Sequence, residues 1–262
     1  MDILQDILGK FPSGYGAALM VNVLLYTTVF VLIWRILAKR LVNRKIQKDR
    51  DIKREQLVRE IRNAFLVMCV GAVTSSVVIA MSERGLSKVY MDIGDYPVWW
   101  AFATFPAMLI INDTVFYWVH RLLHNKQLYS LIHHEHHKSV TVNPFTSLSF
   151  NVIEVALLTV WIIPAAMIMP IYAPALGLVQ LYGLYDNLKA HLGYELYPAW
   201  FNRSPLRFLT TSTYHDLHHT KFRGNYALHF RWWDWAMGTQ NPAYEAAFDA
   251  AHSTKQTGPL PT

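Results

Sequence analysis

The chain of 262 residues has a single cysteine, Cys69. One thiol excludes an intrachain disulfide framework, a cysteine-based zinc ribbon and a CxxC redox site. Charge is scarce as well. Asp, Glu, Lys and Arg make up 16% of the residues, where a soluble domain carries about a quarter. Hydrophobic residues reach 53% and aromatics 14%, which excludes a disordered, collagen-like or coiled-coil chain. No solenoid repeat and no low-complexity block is present. The composition predicts a helical protein that meets lipid.

Four apolar stretches carry that expectation. Residues 15–34 contain no charged side chain and match the ~20 residues that cross ~30 Å of hydrocarbon. No basic segment precedes them, and Arg35, Lys39 and Arg40 follow, so they read as a span with a stop-transfer cluster rather than a secretory signal. Ala64–Ser82 and Val98–His120 predict two more spans. The stretch from Leu148 to Leu188 is too long for one helix and contains Pro164, Pro170 and Pro174. Proline disrupts helix interiors, so a hairpin of two short spans turning near 164–174 is expected. The fold class is therefore all-α, an integral membrane protein with about four to five spans and a cytoplasmic helical cap. Three regions follow: membrane helices over 1–97, a catalytic unit over 98–240, and a loosely ordered tail over 241–262.

The net charge of +6 is concentrated in one place. Residues 38–63 hold ten Lys or Arg against four acids, an excess that accounts for the whole of it. No base-reading or stacking module surrounds this segment, so nucleic acid is excluded as a partner. The positive-inside rule instead places 38–63 in the cytoplasm, beside anionic headgroups. Counting spans from there brings every histidine cluster to the same side. A bacterial inner membrane and an endoplasmic reticulum both suit that topology.

Histidines are where the sequence is rich. Of twelve, six fall between 120 and 137. His120 and His124 form HxxxH. His133, His136 and His137 form HxxHH, and His215, His218 and His219 repeat it. On a helix, positions i, i+3 and i+4 share a face, so each box aims its imidazoles into a common volume. Eight imidazoles exceed what one ion uses, and imidazole suits iron, zinc, copper and nickel. The economical reading is a binuclear, catalytic metal site. His191 is expected as a ninth ligand, with Asn187 one turn before it as a possible further one. His134 lies off the shared face, His229 reads as structural and His252 as solvated.

Around these boxes the wording resembles the fatty acid hydroxylase/sterol desaturase superfamily of integral membrane non-haem di-iron enzymes. The likeness runs over about 98–240 and includes Tyr117-Trp118-Val119-His120-Arg121, Asn225-Tyr226-Ala227 and Phe230-Arg231-Trp232-Trp233-Asp234. The third region, with Ala190-His191 and Gly193-Tyr194-Glu195 upstream, is most similar to the C-4 methylsterol oxidases. Asn143-Pro144-Phe145-Thr146-Ser147 is similar to the sterol C-5 desaturases too. Both groups carry a His-Pro pair where this chain has Asn151-Val152. The resemblance implies two iron ions, O2 as co-substrate, and oxidation of an aliphatic C–H bond of a membrane lipid or sterol. Hydroxylation and desaturation share that chemistry. The length leaves no room for a cytochrome-like domain, so a separate electron-transfer protein (a ferredoxin, cytochrome or reductase) is implied, docking near 38–63.

Metal-bound histidines usually donate their other ring proton to a carboxylate or carbonyl. Asp113 stands on the stripe Asp113, Tyr117, His120, His124, and a carboxylate inside a span needs a partner. It is the preferred supporting residue, with Asp216 beside the third box; Glu135, Glu154 and Asp234 are further candidates. A divalent-metal transporter or sensor is the reading from another class. Transporters place ionisable ligands near the bilayer midplane on broken helices, whereas these boxes fall at helix ends.

Overall fold

The computed structural model describes residues 38–253, with the single positions 5, 28 and 32. Apart from the last two of those positions, the expected span 15–34 lies outside the described residues, as do residues 254–262. Helix α1 covers Arg54–Glu83. It opens on two charged turns (Arg54, Glu55, Arg59, Glu60, Arg62) and becomes apolar at Ala64. Helix α2 covers Val98–Leu123. At ~1.5 Å per residue both exceed the hydrocarbon thickness. Their most apolar stretches, with mean hydropathy 2.3 and 1.3, are only 33% and 28% buried. Phe65, Ile79, Trp99 and Phe102 all point outward. These two helices are long and apolar enough to cross a membrane.

The proline-broken stretch forms a hairpin. Helices α4 (Val152–Thr159) and α5 (Ile162–Ile168) run one way and α6 (Ala173–Ala190) returns. Pro170 lies in the turn, and Pro174 sits in the first turn of α6, where its missing N–H costs nothing. Two short strands tie the hairpin tip to the loop after α1: β1 (Val89–Tyr90) pairs in parallel with β2 (Ile171–Tyr172), with Val89 opposite Ile171. Trp100 adds a bond from Nε1 to the Pro170 carbonyl, 2.9 Å. Val78, Met108, Ala166, Ile171 and Val179 form the apolar core beneath it. This end holds the N-termini of α2 and α6. Their C-termini therefore deliver His120 and His191 to the opposite end.

At that opposite end a polar cap is built from short elements. A π-helical turn, Tyr129–His133, runs into α3 (His134–His137). Asn143 caps the 3-10 turn Pro144–Leu148, and buried Glu60 of α1 fixes it by accepting from Asn143 Nδ2 (2.6 Å) and Thr146 Oγ1 (2.7 Å). Helix α7 (Ser212–Lys221) starts at Thr211, whose side chain accepts from the Tyr214 amide. Helix α8 covers Trp232–Ala236 and α9 covers Tyr244–Ala251.

Helix α9 corrects the expectation of a loose tail from 241. Tyr244, Ala247, Phe248 and Ala251 fall at i, i+3, i+4 and i+7 and are all buried. Tyr244, Ala247 and Phe248 of that stripe form a second core with Phe201, Tyr214, Leu217 and Ala227.

Candidate metal centre

Nine histidines converge at the cap in two groups. His120, His124, His133, His137 and His218 form one, and His136, His191, His215 and His219 the other. Within each group the ligand-capable atoms lie within 4.8 Å of one another. The groups abut, with the His137 and His219 rings 4.8 Å apart. Eight of the nine are buried, and His124 is half-buried. His134 is exposed.

The HxxHH boxes do not each serve one group. In each, the i and i+4 histidines share a group while the i+3 histidine joins the other. His133 and His137 lie with His218, whereas His215 and His219 lie with His136. Steps of 100° per residue place i+4 about 40° from i and i+3 about 60° away on the other flank. Each box thus straddles both positions and holds them close together.

Ring tautomers are fixed from behind. Nδ1 of His120 faces the Tyr226 carbonyl (2.8 Å), that of His218 the Gly224 carbonyl (2.7 Å), that of His191 the Asn187 carbonyl (2.8 Å) and that of His136 the Ser149 carbonyl (3.2 Å). His133 Nδ1 meets Glu154 Oε1 at 2.6 Å, and His124 bonds the Phe222 backbone. A ring that donates from Nδ1 to a carbonyl or carboxylate has only a lone pair at Nε2. Yet Nε2 of His124 lies 3.2 Å from that of His218 and 3.0 Å from that of His133. Lone pairs facing each other at such distances repel, and a cation between them turns the repulsion into ligation. Burial and the neighbouring imidazoles push His133, His136, His137, His215, His218 and His219 well below their usual pKa, keeping them in the neutral, metal-binding form. The donor set fits a pair of borderline metal ions.

One turn supplies three of those carbonyls. After α7 the backbone passes through left-handed conformations at Phe222, Gly224 and Asn225 (φ 60°, 75° and 57°). Asn tolerates that region better than most residues. The Asn225 side chain donates to the Tyr214 carbonyl (2.9 Å) and accepts from the Asn241 amide (2.7 Å). Asp234 clamps the next residues, accepting from the Tyr226 and Ala227 amides, the Tyr214 hydroxyl and the Thr239 hydroxyl. Sequence reasoning missed this turn. The Gly224-Asn225 pair directly after the third box was its one visible signal.

Three expected supporting residues do other work. Asp113 accepts from the His229 and Phe230 amides (2.8 and 3.2 Å) and from Trp232 Nε1 (2.7 Å). It fastens the chain after Tyr226 and bonds no clustered histidine among the described residues. The helical stripe it shares with His120 is real, but the segment 229–232 lies between. Asp216 accepts from Gln47 Nε2 (2.9 Å) on the face of α7 turned away from His215, His218 and His219. Asn187 spends its side-chain amide on the Ser147 carbonyl (2.7 Å) and supports His191 with its backbone. Glu154 is the carboxylate that meets a clustered histidine. Glu135 instead pairs with Asn63 and Lys138. His229 is structural, set between Asp186 and Asn112. His252, expected in solvent, bridges the Phe248 and Tyr197 carbonyls.

Fold and site together give a helical protein with two helices long and apolar enough to cross a membrane and two adjoining groups of histidines, each able to hold a metal ion. A family model described as fatty acid hydroxylase matches residues 105–239, more than half of the chain and all nine histidines. The chain belongs to that family, within the fatty acid hydroxylase/sterol desaturase superfamily. It is 32% identical over 177 residues to a very-long-chain aldehyde decarbonylase of Oryza sativa subsp. indica, covering 63% of this chain and 28% of that protein. To a delta(7)-sterol 5(6)-desaturase of Gibberella zeae it is 24% identical over 229 residues, 85% of this chain and 65% of that one. To lathosterol oxidase of Rattus norvegicus it is 29% identical over 192 residues, 72% and 62%. The chain thus spans about a quarter of the decarbonylase and just under two thirds of the sterol enzymes. No solved structure matches it. These relatives are named for three different reactions, so the similarity to C-4 methylsterol oxidases carries the superfamily and not the substrate.

Proposed function

We propose that the protein is a membrane-bound non-haem di-iron monooxygenase that uses O2 to hydroxylate an aliphatic C–H bond of a lipid or sterol. The observation that carries this reading is the double histidine group, six of whose nine rings are held from behind by carbonyls or by Glu154, in a chain whose family acts oxidatively on lipids and sterols. His120, His124, His133, His137 and His218 would hold one iron, and His136, His191, His215 and His219 the other. When bound, the iron pair supplies O2 activation and the removal of hydrogen from unactivated carbon. The chain's own contribution is orientation and exclusion of water. Glu154 and the carbonyls of 222–226 fix the rings, and burial keeps the imidazoles neutral. Desaturation, the removal of a second hydrogen, is the alternative outcome at the same site, favoured by the sterol desaturase among the relatives.

Four to five spans, with 38–63 and the cap on the cytoplasmic side, complete the reading. An apolar substrate then enters from the bilayer, and electrons come from a separate ferredoxin, cytochrome or reductase that docks near the basic segment. Reversing charge with Lys45→Glu and Lys48→Glu should raise the donor concentration needed for half-maximal turnover without altering metal content. The function itself is tested by lipid profiling of producing cells. An oxygenated lipid or sterol present with the native chain and absent with His136→Ala supports it. Identical lipid profiles would remove it.

A further inference from the structure

A line of aromatic rings leads from the histidine cluster to the surface of the protein. Tyr226 lies against three of the clustered imidazoles, its ring centroid 5.0 Å from that of His124, 5.6 Å from His218 and 5.7 Å from His120. Behind it stands Tyr117, 6.4 Å away and fully buried. Tyr117 stacks on Trp233 (5.9 Å, 19° between planes) and meets Trp118 edge-on at 5.4 Å. Trp118 and Trp233 are 5.5 Å apart, and Trp118, near the C-terminus of α2, is 43% exposed. Every step falls within the ~4.5–7 Å spacing of paired aromatic rings. Electron tunnelling decays steeply with distance, so easily oxidised rings this close together pass an electron along in short hops.

The Tyr117 hydroxyl sits at the head of a proton relay. It accepts from Arg121 Nη1 (3.2 Å) and lies 2.9 Å from Thr239 Oγ1. Thr239 has one hydroxyl proton and gives it to Asp234 Oδ1 at 2.6 Å, so towards Tyr117 it can only accept. The direction is therefore fixed: Tyr117 donates to Thr239, and Thr239 donates to buried Asp234. A tyrosine loses an electron readily only when its phenolic proton leaves with it, because the oxidised phenol is a very strong acid. Tyr117 has a line of acceptors for that proton. The hydroxyl of Tyr226, nearer the imidazoles, has none among the described residues. Phenylalanine would fill the same space at 117; the relay is what the hydroxyl adds.

We propose that Tyr117 is a redox-active tyrosine that draws oxidising equivalents away from the metal centre when no substrate C–H bond is in place. Its oxidant is the O2-oxidised metal pair, so this step rests on the function proposed above. One electron passes from Tyr117 by way of Tyr226 to the oxidised pair. The phenolic proton moves to Thr239 as the Thr239 proton moves to Asp234, leaving a neutral phenoxyl radical and a protonated carboxyl. An external one-electron reductant, the electron-transfer protein or ascorbate, then supplies one electron at Trp118. That electron reaches Tyr117 directly or through Trp233, and the proton returns along the relay. The sum is one electron delivered to the metal pair and no chemical change in the chain. What the route protects is the cluster of imidazoles, the side chains otherwise closest to the oxidant.

The full-length protein, loaded with iron and reduced with dithionite, is mixed with O2 without lipid substrate, frozen, and examined by electron paramagnetic resonance. The expected result is a tyrosyl signal that narrows with ring-deuterated tyrosine, decays faster with ascorbate and is missing from Tyr117→Phe. Thr239→Val ends the relay and should lower the radical yield about tenfold, the rate change that one lost hydrogen bond brings. Thr239→Ser should restore it, with metal content and thermal midpoint measured for every variant. After repeated O2 cycles, mass spectrometry should find more oxidised histidine in Tyr117→Phe than in the native chain. O2 consumption without a tyrosyl signal, an unchanged signal in Tyr117→Phe, or a metal-replete Thr239→Ser that behaves like Thr239→Val would overturn the proposal. A chain that binds no iron or consumes no O2 would instead remove the proposed function. The aromatic route is then decided in the zinc-loaded protein, with photo-oxidised tris(bipyridine)ruthenium as the oxidant at its surface. A radical that depends on Tyr117 and Thr239 supports the route there, and its absence overturns it.

Discussion

At the scale of single residues, the decisive feature is what each imidazole does with its second nitrogen. The Nε2 atoms of His124, His133 and His218 face one another across 3.0–3.2 Å with their lone pairs, because their other ring nitrogens are committed elsewhere. Glu154 is the carboxylate in this arrangement, 2.6 Å from His133. Glu154→Leu keeps the volume and removes the contact, and should weaken metal binding ~10–100-fold, as loss of an outer partner typically does; competition against a chelator measures it. Asp113 should behave differently. It holds two backbone amides and an indole N–H, so Asp113→Asn should lower stability by ~1–3 kcal/mol while the remaining folded protein keeps its metal. A denaturant titration beside metal analysis separates the two roles, and lost metal in fully folded protein would contradict this assignment.

At the scale of elements, the two HxxHH boxes were legible because helical periodicity is written in side chains. That three histidines lean on the carbonyls of 222–226 was not legible, since a carbonyl leaves no mark on residue type. Only the left-handed turn hints at it. Gly224 has φ +75°, and a Cβ there would come within 2.5 Å of the Thr239 carbonyl oxygen. Gly224→Ala should therefore cost at least ~1–2 kcal/mol and loosen metal held through His218, read as a lower thermal midpoint and faster loss to a chelator. Asp113 shows the converse gap. A stripe on one helix tells which residues share a face, not which segment comes to meet it. Helix α9 was hidden for a related reason, because an Ala-rich, Pro-flanked end resembles a tail until Tyr244 and Phe248 find the face of α7. Phe248→Ala should destabilise the cap by ~3–5 kcal/mol, seen as early loss of helicity on heating.

At the scale of the whole molecule, two cores flank one polar layer. The apolar core near the β1–β2 pair sets the ends of α2 and α6, the α7–α9 core sets the third box, and the histidines lie between them. Long outward-facing apolar helices stand on one side of the donor set and a hydrogen-bonded cap on the other; under the proposed function an apolar substrate would enter from the first side and a soluble electron donor would dock at the second. All of this rests on two metal ions sharing nine imidazoles. The direct measurement is elemental analysis of the purified chain from iron-replete cells, alongside His136→Ala. The account requires about two irons per folded chain, with a clear loss in the variant. A folded native protein without stoichiometric metal, or a variant that retains the full complement, would contradict it.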